Sequence, residues 1–158
     1  MKYLLVLLLL LHAVLFAEEL KVKADEFSAD QNKGISIFTG HVQIKKANDE
    51  LNASKVTIYT DKNNKPTKFI ALGNTSFAIK TQKGAIYRGV AQKVVYFPLK
   101  KEYHFFEDVH LKQIDDKKEI FGDAVILQAI DGKAYAKGAA KEPVIMIFDI
   151  KDEKEKND

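Results

Sequence analysis

The sequence predicts an all-β protein, a sandwich or jellyroll of two packed antiparallel sheets built from four two-strand repeats. Three observations carry that prediction: evenly spaced turn clusters, segments rich in Val, Ile, Phe, Tyr and Thr between them, and one pattern of small and apolar residues that recurs four times. The turn clusters are "DQNKG" (30–34), "ANDE" (47–50), "DKNNKP" (61–66), "TQKG" (81–84), "PLKKE" (98–102), "DDKKE" (115–119) and "DGK" (131–133), with centres 15 to 19 residues apart. That spacing suits long antiparallel strands joined by hairpins. The segment "AIYRGVAQKVVYF" sets Ile86, Val90 and Val94 four apart, as a helix would, but its turn-bounded length and its place in the repeat make it a strand.

Set beneath one another, "VKADEFSAD" (22–30), "LNASKVTIY" (51–59), "GVAQKVVYF" (89–97) and "IFGDAVILQ" (120–128) each carry a small residue in third place: Ala24, Ala53, Ala91 and Gly122. Each then resumes its apolar positions three and five residues later, at Phe27 and Ala29, Val56 and Ile58, Val94 and Tyr96, Val125 and Leu127. In the second unit Leu51 and Ala53 are therefore out of phase with Val56 and Ile58. A one-residue slip in a strand turns its side chains to the other face. A slip repeated beside a small residue reads as a bulge or bend, expected near Ser54 and Lys55, that returns both apolar pairs to one curved interior.

The return strands keep the register. Gly40, Gly73, Glu107 and Gly138 follow the four small residues at 16, 20, 16 and 16 positions, and glycine midway along a strand permits a sharp fold. One face holds Phe38, Gly40, Val42 and Ile44; the next strand holds Phe69, Ala71, Gly73, Thr75, Phe77 and Ile79; the third holds Tyr103, Phe105, Glu107, Val109 and Leu111. The opposite face, with Thr39, His41, Gln43, Lys45, Ser76, Ala78, Lys80, His110 and Lys112, is expected to meet mostly water. The fourth unit departs from the pattern, with "GAAKEPVIMIFD" in place of a plain return strand.

Composition bounds the function. In 158 residues, 46% are hydrophobic, 30% are charged and the net charge is +3, which supports one domain with a core and excludes a nucleic-acid-binding arm. The absence of Cys excludes a disulfide framework and a lipidated cysteine. At the N-terminus, Lys2 precedes a thirteen-residue run from Leu4 to Phe16 and then Ala17. As a helix that run reaches about 20 Å, short of the ~30 Å hydrocarbon core, so residues 1–17 are read as a signal peptide. Leu15 stands where a small residue is usual before a cleavage site, so a retained anchor is the alternative. Residues 18–148 form the β domain and 149–158 a charged, disordered tail.

No Gly-rich phosphate loop, nucleotide motif or Ser, His and acid constellation is placed by the pattern, and the histidines His41, His104 and His110 lack a ligand spacing, so no enzyme activity, metal or cofactor is expected. The fourfold unit, continued by "FTGHVQI" or "ALGNTSF", resembles the OstA-like family of lipopolysaccharide transport, over residues 20 to about 148.

The resemblance implies a twisted, open β-jellyroll in the periplasm that bridges inner and outer membranes and takes lipopolysaccharide acyl chains into its interior. It further implies head-to-tail self-association and joining to the OstA-like domains of the inner-membrane protein LptC and the outer-membrane barrel LptD. The inner-face residues expected to meet lipid are Phe27, Phe38, Val42, Ile44, Leu51, Val56, Ile58, Phe69, Phe77, Ile79, Val94, Tyr96, Phe105, Val109, Leu111, Val125 and Leu127. A membrane-anchored family member of the LptC type is one alternative. The other is a structural exported β-protein that binds no lipid.

Overall fold

The computed structural model describes residues 18–150. The expected signal peptide (1–17) and residues 151–158 of the expected tail lie outside the described residues. Ten antiparallel strands run in chain order: β1 (Leu20–Lys23), β2 (Glu26–Asp30), β3 (Ile35–Lys46), β4 (Asp49–Thr60), β5 (Pro66–Lys80), β6 (Ile86–Phe97), β7 (Glu102–Gln113), β8 (Lys118–Gln128), β9 (Lys133–Lys137) and β10 (Ile145–Ile147). The long strands β3 to β8 form a meander, with β1 and β2 both paired to β3, and β9 and β10 both paired to β8. The first and last strands of the sheet are thus each broken in two, and the turns fall where the polar clusters predict. The segment with helix-like spacing is strand β6.

The two packed antiparallel layers are two leaves of one open sheet folded along a crease. Pairing jumps at the same level in every hairpin: between Thr39 and Val42, Asn52 and Lys55, Leu72 and Thr75, Val90 and Lys93, and Phe106 and Val109. The first leaf holds β1, β10, the C-terminal halves of β3, β5 and β7 and the N-terminal halves of β4, β6 and β8. The second holds the remaining halves with β2 and β9.

The crease corrects the expected bulge in one respect. Lys55 and Ala53 oppose Thr39 and Val42, so β4 spends one unpaired residue, Ser54, where β3 spends two. The extra residue is on the return strand, and there the backbone is left-handed. Gly40 and His41 have φ of 78° and 43°, Gly73 and Asn74 83° and 46°, Glu107 and Asp108 63° and 52°. Such a pair reverses the pleat and re-aims the side chains beyond it. A side chain at Gly40 would strike the Asp25 carboxylate, and one at Gly73 the Ser54 hydroxyl, which donates to the Gly73 carbonyl at 3.2 Å across the crease.

The parity slip resolves as predicted: Ala53, Val56 and Ile58 are buried in one core, with Leu51 packed against it. Glu107 does not join the inner face where alternation placed it. Its positive φ turns it to solvent at the crease.

The leaves meet through non-neighbouring strands. Phe77 of β5 stacks on Phe105 of β7 at 4.2 Å between ring centres. Gly89 of the intervening β6 leaves room for this, since a β-carbon there would lie 2.8 Å from the Phe77 ring. At one end the Gln82 amide donates to the Ala129 carbonyl at 3.0 Å, stitching the β5–β6 turn to the turn after β8. Thr75, a polar residue with no exposed surface, is satisfied within the interior: its hydroxyl donates to the Ala91 carbonyl at 2.6 Å.

Glu107 occupies the position that Gly40 and Gly73 hold in the earlier units, and a left-handed conformation costs an L-residue more than glycine loses in chain entropy. Glu107→Gly is therefore expected to stabilise the fold by about 1 kcal/mol, read as a raised urea midpoint. A lowered midpoint would show that the glutamate side chain holds the crease.

Candidate functional site

Between the leaves the interior is graded. Toward β7 and β8 it is sealed: Phe105, Val109, Leu111, Val125 and Leu127 are at most 2% exposed and lie off the cavity, whose own wall residues Val56, Ala71, Ile79 and Val94 are as closed to outside solvent. Toward β3 to β6 it opens into a cavity of about 450 Å³. Ile44, Leu51, Phe77 and Ile79 of the first leaf and Val56, Phe69, Ala71, Val94 and Tyr96 of the second line it, with Leu20, Pro98 and Leu99 at the lip. The exposed Leu99 and Leu20 make that lip apolar.

Charged groups ring the mouth without entering the apolar wall. Lys46, Asp49, Glu50 and Lys65 border it. Lys46 pairs with Glu18 at 3.5 Å, and Lys45 with Glu50 at 3.8 Å. Between mouth and sealed core stands a clasp across the leaves: the Tyr103 hydroxyl donates to Asp49 Oδ2 at 3.0 Å, while Asp49 Oδ1 accepts the Lys80 amide at 2.8 Å. Burial, then the Asp49 carboxylate, pushes the Tyr103 hydroxyl far above the ordinary tyrosine range, so it remains a donor. Tyr96 stacks on Tyr103 at 4.3 Å, and burial raises its hydroxyl as well.

The seventeen inner-face candidates divide three ways. Ile44, Leu51, Val56, Phe69, Phe77, Ile79, Val94 and Tyr96 line the cavity. Val42, Ile58, Phe105, Val109, Leu111, Val125 and Leu127 are closed core. Phe27 and Phe38 form a tilted ring pair at 4.8 Å at the β2 edge, where Phe27 is 62% exposed.

Sequence reasoning missed the lip and the clasp. Ala71 and Tyr103 carried the inner-face parity that would have found them; Leu20, Pro98 and Leu99 lie at a strand end and a turn, where parity is silent. The chemistry available is shelter, an apolar slot with a polar collar. Among the described residues no group of His, Asp or Glu is arranged to hold a metal ion, and no helix is long and apolar enough to cross a membrane.

Residues 21–133 match the family model described as LptA/(LptD N-terminal domain) LPS transport protein. The chain belongs to that family. The OstA-like resemblance read from the repeats is thereby membership in a family of lipopolysaccharide transport proteins. The fold agrees with the crystal structure of LptH, the LptA-homologous periplasmic component of the lipopolysaccharide transport device of Pseudomonas aeruginosa. The TM-score is 0.75 over 84% of this chain and 96% of that one, at 15% identity. No relative was found among curated protein sequences.

Removing the clasp donor isolates its contribution. Tyr103→Phe leaves Asp49 short of a partner and is expected to cost about 1–3 kcal/mol at neutral pH. Because the folded-state Tyr103 holds its proton more tightly than the unfolded chain does, its stabilisation is complete below about pH 10 and lost as pH rises beyond it. Urea titrations at pH 7 and pH 11 should show the variant's deficit shrinking at the higher pH. A deficit that is constant or grows would overturn the clasp.

Proposed function

We propose that this LptA-like chain is a periplasmic lipopolysaccharide carrier that shelters acyl chains in the cavity between its leaves and forms one link of a bridge from inner to outer membrane. The observation that carries this reading is the apolar slot of about 450 Å³ in a member of a lipopolysaccharide transport family. Each buried methylene is worth ~0.8 kcal/mol, so even part of one acyl chain supplies several kcal/mol without covalent chemistry. The charged collar suits a ligand whose head stays in water while its tail enters. The sequence holds no nucleotide motif, so energy for directed movement comes from another protein.

A photo-reactive residue at Phe69 is expected to crosslink to lipopolysaccharide in cells, and one at Asn52 on the outer face is not. Filling the slot with Ala71→Leu should cut the Phe69 adduct several-fold while the melting transition stays two-state and within a few degrees. The open cavity beside Ala71 absorbs the added methylenes, which spares the overpacking cost of a sealed core. Equal adducts at Phe69 and Asn52 would overturn the interior site.

The bridge rests on the edges. β1 with β2 and β9 with β10 stand at opposite ends of the sheet, and an open edge offers N–H and C=O groups to another strand. Unlike ends joined head to tail propagate to a second copy, or to the related domains of LptC and LptD. Ile145, Met146, Ile147 and Phe148 are all more than half exposed, between Pro143 and the charged tail. Removing residues 144–158 from the otherwise folded chain is expected to abolish concentration-dependent oligomers and copurification with the outer-membrane partner. Sedimentation as monomer only, with a truncated form that still copurifies, would sink the edge reading.

A further inference from the structure

The outer faces of the two leaves differ in their balance of apolar and paired polar side chains. On the first leaf the outward side chains pair with one another: Gln43 with Glu50 at 3.0 Å, Asn52 with Ser76 at 3.3 Å, and His110 and Lys112 with Glu119 at 2.8 and 2.9 Å. Val90, 48% exposed, and Phe121, stacked on His110 at 4.1 Å, stand in the same row, so that face is mixed but mostly polar. On the second leaf an apolar row runs outward across the sheet through Ile37, Ile70, Val95, Ile126 and Tyr135, interrupted by Thr57 and His104. Val95 is only 7% exposed although it lies outside the interior core. Its neighbours on that face cover it.

The next row contains Lys55, Leu72, Lys93, Phe106, Ala124 and Lys137 in register. Leu72 is 40% exposed and Tyr135 55%. Lysines lie over the rings of this face: Lys68 at 4.5 Å from the Tyr59 centre, Lys93 at 5.4 Å from Phe106, Lys100 at 5.9 Å from Phe97. Among the described residues Lys55, Lys68, Lys93 and Lys137 form no ion pair. Of the acids of the face, Glu102 is held by His104 and Gln128, Asp30 by Lys33, and Glu26 lies on the β2 edge strand; Glu107, Asp108 and Asp123 stand exposed at the crease, just beyond the lysine row.

We propose that the outer face of the second leaf docks on an anionic lipid bilayer. Aromatic and aliphatic side chains with lysines laid over them present an apolar body and a cationic rim, the arrangement that suits a plane of phosphates above hydrocarbon. Lysines without acidic partners give the charge complementarity, since anionic lipid attracts each of them at the surface. The first leaf, where Lys45 and Lys112 are paired with Glu50 and Glu119, then faces away. This surface is distinct from the cavity, and it reaches a sheet edge only through the outward side chains of Tyr135 and Lys137 on β9, not through that strand's backbone groups. A protein with an acidic face is the other occupant of such a surface, and the test separates the two.

The test is flotation of the purified protein with vesicles of phosphatidylglycerol and phosphatidylcholine, and with phosphatidylcholine alone. Two triple variants that remove equal charge are compared. Lys55→Gln with Lys93→Gln and Lys137→Gln strips the second leaf; Lys21→Gln with Lys80→Gln and Arg88→Gln strips the outer face of the first. The N-terminal apolar run is common to all forms and cancels in the ratio.

The second-leaf variant is expected to lose roughly a hundredfold in partitioning to the anionic vesicles, about fivefold per lysine, and the first-leaf variant only a small part of that. Tyr135→Ser should lower the binding that survives high salt. Circular dichroism melts of each variant establish that it remains folded. Equal losses in the two triples would show charge attraction without a docking face and overturn the proposal. So would absent binding to anionic vesicles; loss of a copurifying protein from the second-leaf variant, with no vesicle binding by the parent, would assign the surface to a protein partner instead.

Discussion

Everything in this molecule depends on the crease. A meander of long strands with apolar side chains on one face has a single way to bury them, which is to fold over on itself. The strands are continuous across the fold, so each must turn its backbone without losing the parity that keeps apolar residues inside. Two left-handed residues on each of β3, β5 and β7, opposed by one unpaired residue on the forward strand, accomplish this. The sheet is thereby one object with two leaves, and its interior is a slot with two ends.

A slot of this kind sets stability against access. The chain has no disulfide to offset an open interior. The sealed half, around Phe105, Leu111, Val125 and Leu127, supplies the tightly packed core, while the half beside β3 to β6 is left underfilled. The Phe77–Phe105 stack closes the border between them. Were the whole interior lined as loosely as the mouth, the apolar contact that a dense core supplies would be forfeited throughout.

Much of this was legible in the residues. The crease announced itself as a parity slip beside Ala53 and Ala91, because a strand of period two cannot bury both Leu51 and Val56 unless the backbone bends. Which strand carries the extra residue was not legible. Gly40 and Gly73 suggest it, but Glu107 shows that a glutamate can occupy the same left-handed position, and its side chain then points where alternation does not place it. The inner face was legible by parity, yet parity ranks Ile79 and Leu111 alike, though one lines the cavity and the other is sealed core. That difference comes from how far apart the leaves stand, which depends on pairs such as Tyr103 and Asp49 that lie 54 residues apart in the chain. The outer face of the second leaf escaped notice because its apolar row forms only when a succession of hairpins brings single residues into line.

The clasp also explains how a polar contact can sit at the edge of an apolar slot without endangering it. A charged pair there would strand a charge in a poorly solvated place whenever the leaves moved, and leaving one partner unmatched is costly. Tyr103 and Asp49 avoid this: the donor is neutral, and the carboxylate keeps its second hydrogen bond from the Lys80 amide when the first is broken. Since burial drives the Tyr103 proton on more tightly, acid and neutral conditions leave the donor intact. The Tyr103–Asp49 bond therefore joins the leaves beside the Gln82–Ala129 bond and the Phe77–Phe105 stack, a polar contact that adds to the apolar packing behind it.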